Sequence, residues 1–255
     1  MNSNYESPQI ENTKRLRLIT CEIFTRELAL LTATSENIVS TSYLRKGLHD
    51  TATEKMQQTI QAEIDGVTGD FEAILLGYGR CNNGLAGIKA NAIPLIIPKI
   101  HDCIGAFMGG NGQYMDTFAQ NARTFYRSSG WMERDKYDDD SVMHQLGLDN
   151  TYDEYVKKYG EDNARYIMET MGNWTSQYKE LAYIKLGLAI DQKYEQLARQ
   201  EARQRKLEFR SIEGTMSLLR DFIDGNWDDK RFLTVPPGCL IIADDDEVLK
   251  VQEPA

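Results

Sequence analysis

Strand-like apolar runs and helix-like segments alternate four times within the first hundred residues, and this alternation constrains the fold more than any other feature. The runs cover residues 16–20, 37–44, 71–76 and 94–100, with the lengths and branched content of buried strands. Between them, Phe24, Leu28 and Leu31 fall on one helical face, and Met56, Ile60 and Ile64 recur four apart as a core-facing stripe. Thr51-Ala52-Thr53-Glu54 has the spacing of a capping box ahead of that second helix, and a short helix is expected over 85–90. Parallel strands need a crossover connection, usually a helix. The pattern therefore predicts an α/β fold: a Rossmann-like, helix-covered parallel sheet over residues 16–108.

The rest of the chain is less regular. Helix is expected over 114–122, 191–206 and most of 152–178, and an acidic loop over 133–140. Strands are expected over 124–128, 181–186, 207–211 and 232–235. Together these predict a second, more helical α/β lobe over 109–241. A flexible arm at 1–15 and an acidic, mobile tail at 242–255 complete the expected division. With 255 residues, 41% of them apolar and 27% charged, the composition is that of a soluble globular protein with a large core.

In parallel sheets, ligands bind beyond the carboxyl ends of the strands. Read in chain order, those ends carry Cys21, His49, Cys81, and His101 with Cys103. Three thiols delivered by three strand ends suggest a metal site, because thiolates bind zinc tetrahedrally and hold iron–sulfur clusters. Widely spaced single cysteines with no C-x-x-C favour an iron–sulfur cluster over zinc and exclude a zinc ribbon. Three protein ligands leave one coordination position for water or substrate, as in catalytic sites. The plainer alternative is three inert, buried thiols. Cys239 lies apart from these motifs.

Cys81 ends a glycine turn, Gly77-Tyr78-Gly79-Arg80-Cys81. Gly77 and Gly79 are read as cofactor-binding positions that free the backbone to bring Cys81 to a ligand. A phosphate cradle is the competing reading. Against it, Asn82 stands where a third glycine would complete G-x-G-x-x-G, and no G-K-[ST] follows. His49 and His101 are the candidate acid–base residues, since their ordinary pKa lies near neutrality, although a lone histidine is more often a satisfied partner in the fold. His144 sits in a polar stretch and is ranked below them. Asp102 and Glu22 read equally as site residues or as helix caps. Residues 109–112 read as a lid or a plain turn, Trp131 and Trp174 as core, and 138–140 as no complete calcium loop.

A net charge of −10 gives no general attraction to phosphate backbones or anionic lipid. The basic stretch 199–210 is broken by Glu201 and Glu208 and reads as a solvated helix face. No run approaches the ~18 apolar residues that span a bilayer, and the first residues do not resemble a secretory signal. The expectation is a cytoplasmic protein without nucleic-acid or membrane partners, in a compartment that disfavours disulfides.

Thr20-Cys21-Glu22, the 77–81 turn and His101-Asp102-Cys103, with Phe125-Tyr126, Gly130-Trp131 and Trp227-Asp228, together resemble a bacterial and archaeal family known only as a domain of unknown function, over about residues 16–237. Members of that family accompany corrinoid-dependent methyltransferase systems. The resemblance thus implies a corrinoid protein or methyltransferase as partner and brings no reaction of its own. Motifs and resemblance together suggest a metal–thiolate enzyme acting on a small polar substrate by methyl or sulfur transfer. The alternatives are a non-catalytic accessory protein that handles a corrinoid or metal, and a nucleotide-binding module.

Overall fold

β1 (Arg15–Cys21) is the axis of the first sheet. It pairs in parallel with β2 (Ile38–Leu44) on one side and with β3 (Ala73–Gly77) on the other. From Leu18 onward every residue of β1 is buried, as a strand covered on both faces requires. β4 (Leu95–Pro98) extends the sheet in parallel from β3. The computed structural model describes residues 13–50, 53–81, 83–112, 123–134, 156–157, 160–166, 178–246 and 248–254.

Two helices in the first hundred residues form for the reasons their patterns suggest. Glu22–Phe24 is a 3₁₀ turn leading into α1 (Thr25–Thr34), and Phe24, Leu28 and Leu31 are buried. α2 (Thr53–Asp65) buries Met56, Ile60 and Ile64; residues 51–52 of its capping box lie outside the described residues. No helix forms over 85–90. These residues make turns and bond instead to a later hairpin: Gly87 N–H donates to Ile241 O at 2.8 Å, and Ala90 N–H to Cys239 O at 3.0 Å. Their backbone groups are paired across the fold rather than along a helix axis.

The second half contributes a separate parallel sheet, β5 (Thr124–Arg127), β6 (Glu180–Lys185) and β7 (Glu208–Glu213), in that order. α3 (Cys103–Phe107) and α4 (Ser129–Arg134) lie near the junction of the two sheets. α5 (Asp191–Arg205) packs on β6, and α6 (Ser217–Asp224) packs on α1. The sheets meet where Thr215 N–H donates to Phe107 O at 2.8 Å. A side chain on Gly214 would press on that same carbonyl. Ile184 and Leu186 join the core of the first sheet.

The chain then returns. β8 (Phe232–Val235) pairs antiparallel with β4, giving the order β2-β1-β3-β4-β8. β9 (Leu240–Asp244) and β10 (Val248–Gln252) form a hairpin. The expected mobile tail after 242 thus contains a strand, and the segment assigned to the second lobe supplies an edge of the first sheet. The architecture is mixed α/β with a parallel-dominated sheet. The expected helices at 114–122 and through most of 152–178 lie outside the described residues.

Candidate functional site

Strand order reverses at β1: β2 lies on one side of it and β3 and β4 on the other. Such a reversal leaves a crevice at the carboxyl ends of the two inner strands. β1 ends at Cys21, and β3 ends at Gly77, four residues before Cys81. Glycine is required here by crowding. A Cβ on Gly77 would collide with the Thr20 side chain, whose hydroxyl donates to Gly77 O at 3.0 Å. A Cβ on Gly79 would lie 2.9 Å from both Ile100 O and Asp102 N. The two glycines therefore let the turn pack between β1 and the segment after β4.

That packing brings the second and third thiols together. Arg80 N–H donates to Ile100 O at 2.8 Å and Cys81 N–H to His101 O at 3.0 Å, two residues before Cys103. Cys81 takes a left-handed φ of 41° to complete the turn. Asp102 is the N-cap of α3: its Oδ1 accepts from Ile104 N at 2.9 Å and Gly105 N at 3.2 Å.

Burial pushes all three thiols up. Cys21 rises to about 12, opposed by the Ile23 backbone N–H and raised further by Cys81 and Glu22. Cys81 also rises to about 12, opposed by the Gly79 backbone N–H and reinforced by Asp102. Cys103 is driven well above its usual value by burial, then by Asp102 and Cys81, against the Trp131 indole N–H, with Cys21 adding a smaller push. Cys81 raises both Cys21 and Cys103, and Cys21 adds to the rise at Cys103. Among the described residues, no three histidine, cysteine, aspartate or glutamate side chains form a group placed to hold a metal ion.

The histidines are positioned less tightly. His101 is half-buried; its backbone N–H donates to Asn111 Oδ1 at 3.1 Å and its backbone carbonyl accepts from Cys81 N–H. His49 lies in the turn Lys46–Asp50 that follows β2, but its side chain lies outside the described residues. So do Asn82, His144, Trp174 and residues 138–140. Cys239 is buried beside the hairpin, where its carbonyl receives Ala90.

Several residues at this edge were not anticipated. The Trp131 indole N–H donates to Cys103 Sγ at 3.3 Å, so the ring expected only as core reaches a thiol. Lys46 is buried, with Nζ 5.0 Å from the centroid of that ring, and its backbone N–H donates to Glu22 Oε1 at 2.8 Å. Arg134 Nε stands 3.5 Å from Glu22 Oε2. α4 can approach because Gly130 lies directly against Ile23 O, where any side chain would clash. The Tyr78 hydroxyl is buried with no hydrogen-bond partner among the described residues, in the electrostatic range of Cys21 and Cys81. Glu27 is wholly buried. Its position on the α1 stripe, between Phe24 and Leu31, was the available sequence signal for it. A groove of about 470 Å³ lies elsewhere, lined by Arg17, Ser40, Glu63 and Phe71 among others, and no thiol lines it. Among the described residues no helix is long and apolar enough to cross a membrane.

A family described as "Protein of unknown function (DUF1638)" matches residues 43–223, and the chain belongs to that family. The matched stretch contains Cys81, Cys103 and Trp131; Cys21 lies before it. No curated protein and no solved structure matches the chain.

Proposed function

For this member of the DUF1638 family, we propose a three-thiol metal centre at the carboxyl edge of the first sheet, with Cys21, Cys81 and Cys103 as ligands that a bound metal would have to draw closer, since in this structure they do not form a ready ligand set. What supports the reading is backbone placement: Cys21 ends β1, Cys81 follows β3 and donates its N–H to His101 O, and Cys103 opens α3 two residues later, all beside the strand-order reversal. The surroundings suit a soft metal. Sulfur donors are what iron–sulfur clusters and zinc select. An indole N–H on one sulfur, with Lys46 and Arg134 nearby, offsets the negative charge that thiolates would bring. A hydroxyl at Tyr78 without a partner offers a donor to whatever occupies the crevice. The centre is either an iron–sulfur cluster or zinc.

In this reading the metal supplies Lewis-acid or electron-transfer chemistry at a position left open by three protein ligands. The chain holds the thiols, Cys21 buried and Cys81 and Cys103 half-buried, and would provide His101, with His49 of the turn that follows β2, to move a proton. Because burial keeps the free thiols protonated, loading the site releases protons, and metal affinity climbs with pH. A small polar substrate, methyl or sulfur transfer, and a corrinoid protein or methyltransferase as partner complete the proposal; they rest on the family resemblance alone.

Metal and sulfide analysis after anaerobic purification tests the centre. Wild type should retain metal, Cys81→Ser and Cys103→Ser should lose most of it while folded, and Cys239→Ser should match wild type. Equal metal content in all four chains, or none in any, refutes the proposal.

A further inference from the structure

Glu27 stands in the first turn of α1 with none of its surface exposed, and neither carboxyl oxygen has a hydrogen-bond partner among the described residues. Such a group is costly to bury unless something answers it. A complementary orphan lies nearby. Arg134 Nε is also enclosed without a hydrogen-bond partner among the described residues, and its 3.5 Å approach to Glu22 is an ion pair lacking hydrogen-bond geometry. The rest of that guanidinium is spent elsewhere: Nη1 lies 3.2 Å from Glu133 Oε2 and 3.3 Å from Gly130 O. The helix carrying Arg134 rests on the 22–24 turn that leads into α1, with Gly130 against Ile23 O and Arg134 Nε 3.5 Å from Glu22 Oε2, so this one cation bears on both the buried acid and the first thiol.

The charged and titratable groups within electrostatic range of Glu27 come from four elements besides its own. Asp191 opens α5, Glu133 and Arg134 end α4, Tyr43 is on β2 and Tyr183 on β6. Asp191 is fully engaged, accepting from the Tyr183 hydroxyl and from the backbone of Leu186 and Leu188, each at 2.9 Å. Glu133 is held by Arg26 at 2.6 Å. Arg134 is therefore the cation among these groups that can respond to a charge on Glu27.

We propose that Glu27 is a positioning residue for the thiol edge: protonated, it leaves Arg134 to Glu22 beside Cys21, and ionised, it draws the Arg134 Nε–H to itself and strips positive charge from that thiol. The consequence for metal binding rests on the reading of the three thiols as the functional centre. The device switches close to neutrality, because burial, reinforced by Asp191 and Glu133 and opposed by Glu27's own backbone N–H and Arg134, lifts the carboxyl to about 7. A glutamine in its place mimics the protonated state and fixes the switch in one position.

The test uses the full chain. The ¹⁵Nε–¹Hε signal of Arg134, assigned by its loss in Arg134→Lys, should move with a midpoint near pH 7 in wild type and stay flat in Glu27→Gln. Cobalt(II), added anaerobically and followed by thiolate-to-cobalt absorption, should bind both chains alike at pH 6. At pH 8 it should bind Glu27→Gln on the order of tenfold more tightly, the effect of one uncompensated charge across a few ångströms of protein. An Arg134 signal that is flat in wild type, or that moves identically in both chains, overturns the inference. A moving signal with equal cobalt affinities at both pH values overturns its link to the thiols. Cobalt binding to neither chain, with the signal moving as expected, supports the Glu27–Arg134 switch and overturns the metal reading alone.

Discussion

Replacing Glu27 by glutamine has a consequence for stability whose sign and size follow from burial. An ordinary glutamate at 4.5 is lifted to about 7 in the folded chain. The folded protein therefore keeps a proton that the unfolded chain has released over that interval. Stability from this group is fully present below pH 4.5 and is lost as pH rises through 7. At about 1.4 kcal/mol per pH unit, the loss between pH 5 and pH 8 is about 3 kcal/mol. Glu27 is wholly buried, so solvent does not screen this effect. Glutamine cannot titrate and should remove it. Glutamine also carries a buried NH₂ donor, costing about 1–3 kcal/mol if unmet, but that cost is the same at both pH values. Urea denaturation of wild type and Glu27→Gln at pH 5 and pH 8 isolates the titration, because every other group cancels in the difference of differences. Relative to pH 5, the variant should gain about 3 kcal/mol over wild type at pH 8. A difference below about 1 kcal/mol would show that the carboxyl finds water or a partner, and the reasoning would fail.

Three further substitutions probe the edge. Gly79→Ala forces a Cβ against Ile100 O and Asp102 N at 2.9 Å; a loss of about 1–3 kcal/mol is expected by thermal or urea denaturation, while Gly112→Ala, which meets nothing within 4 Å, should be close to neutral. Asp191→Asn can keep its amide oxygen on the Leu186 and Leu188 N–H groups and turn its NH₂ to the Tyr183 hydroxyl, so it exchanges charged acceptors for a neutral one and should cost about 1–2 kcal/mol by urea denaturation with little change in fold by circular dichroism. Trp131→Phe removes the N–H that lowers the Cys103 thiol, so that thiol should rise further and cobalt affinity at pH 7 should drop about tenfold, the low end for an outer partner of a metal ligand; unchanged affinity would remove Trp131 from the site.

Much of the fold was legible because burial and strand period coincide. β1, β3 and β4 read as apolar runs because both their faces are covered, and α1 and α2 kept their stripes. Residues 85–90 misled because Leu85 and Ile88 are spaced as on a helix, yet the backbone here is claimed by a hairpin some 150 residues later in sequence. The acidic character of the carboxyl end hid that hairpin: Asp244, Asp245 and Asp246 lie at its turn, and the flanking residues pair. At the site, strand-end reasoning placed Cys21 and Cys81, since it depends only on chain direction. Trp131, Lys46 and Arg134 were missed because they arrive from other elements, and nothing local marks a tryptophan or lysine that will face a thiol. Glu27 carried a local sign, a charge on an apolar stripe, but its perturbation needs Asp191 and Glu133 from distant segments.

The returning strand β8 has a consequence for how the protein is made. Leu95 pairs with Val235, so the fourth strand presents an unpartnered edge to the cell until the stretch that separates the two, residues 96–234, has left the ribosome. Exposed edges of this kind are where nascent chains aggregate or recruit chaperones. A fragment cut at the family boundaries, 43–223, would lose β1, most of β2 and β8, leaving β3 and β4 without their outer partners on either side. Expression of shortened forms should respect the sheet rather than the family limits.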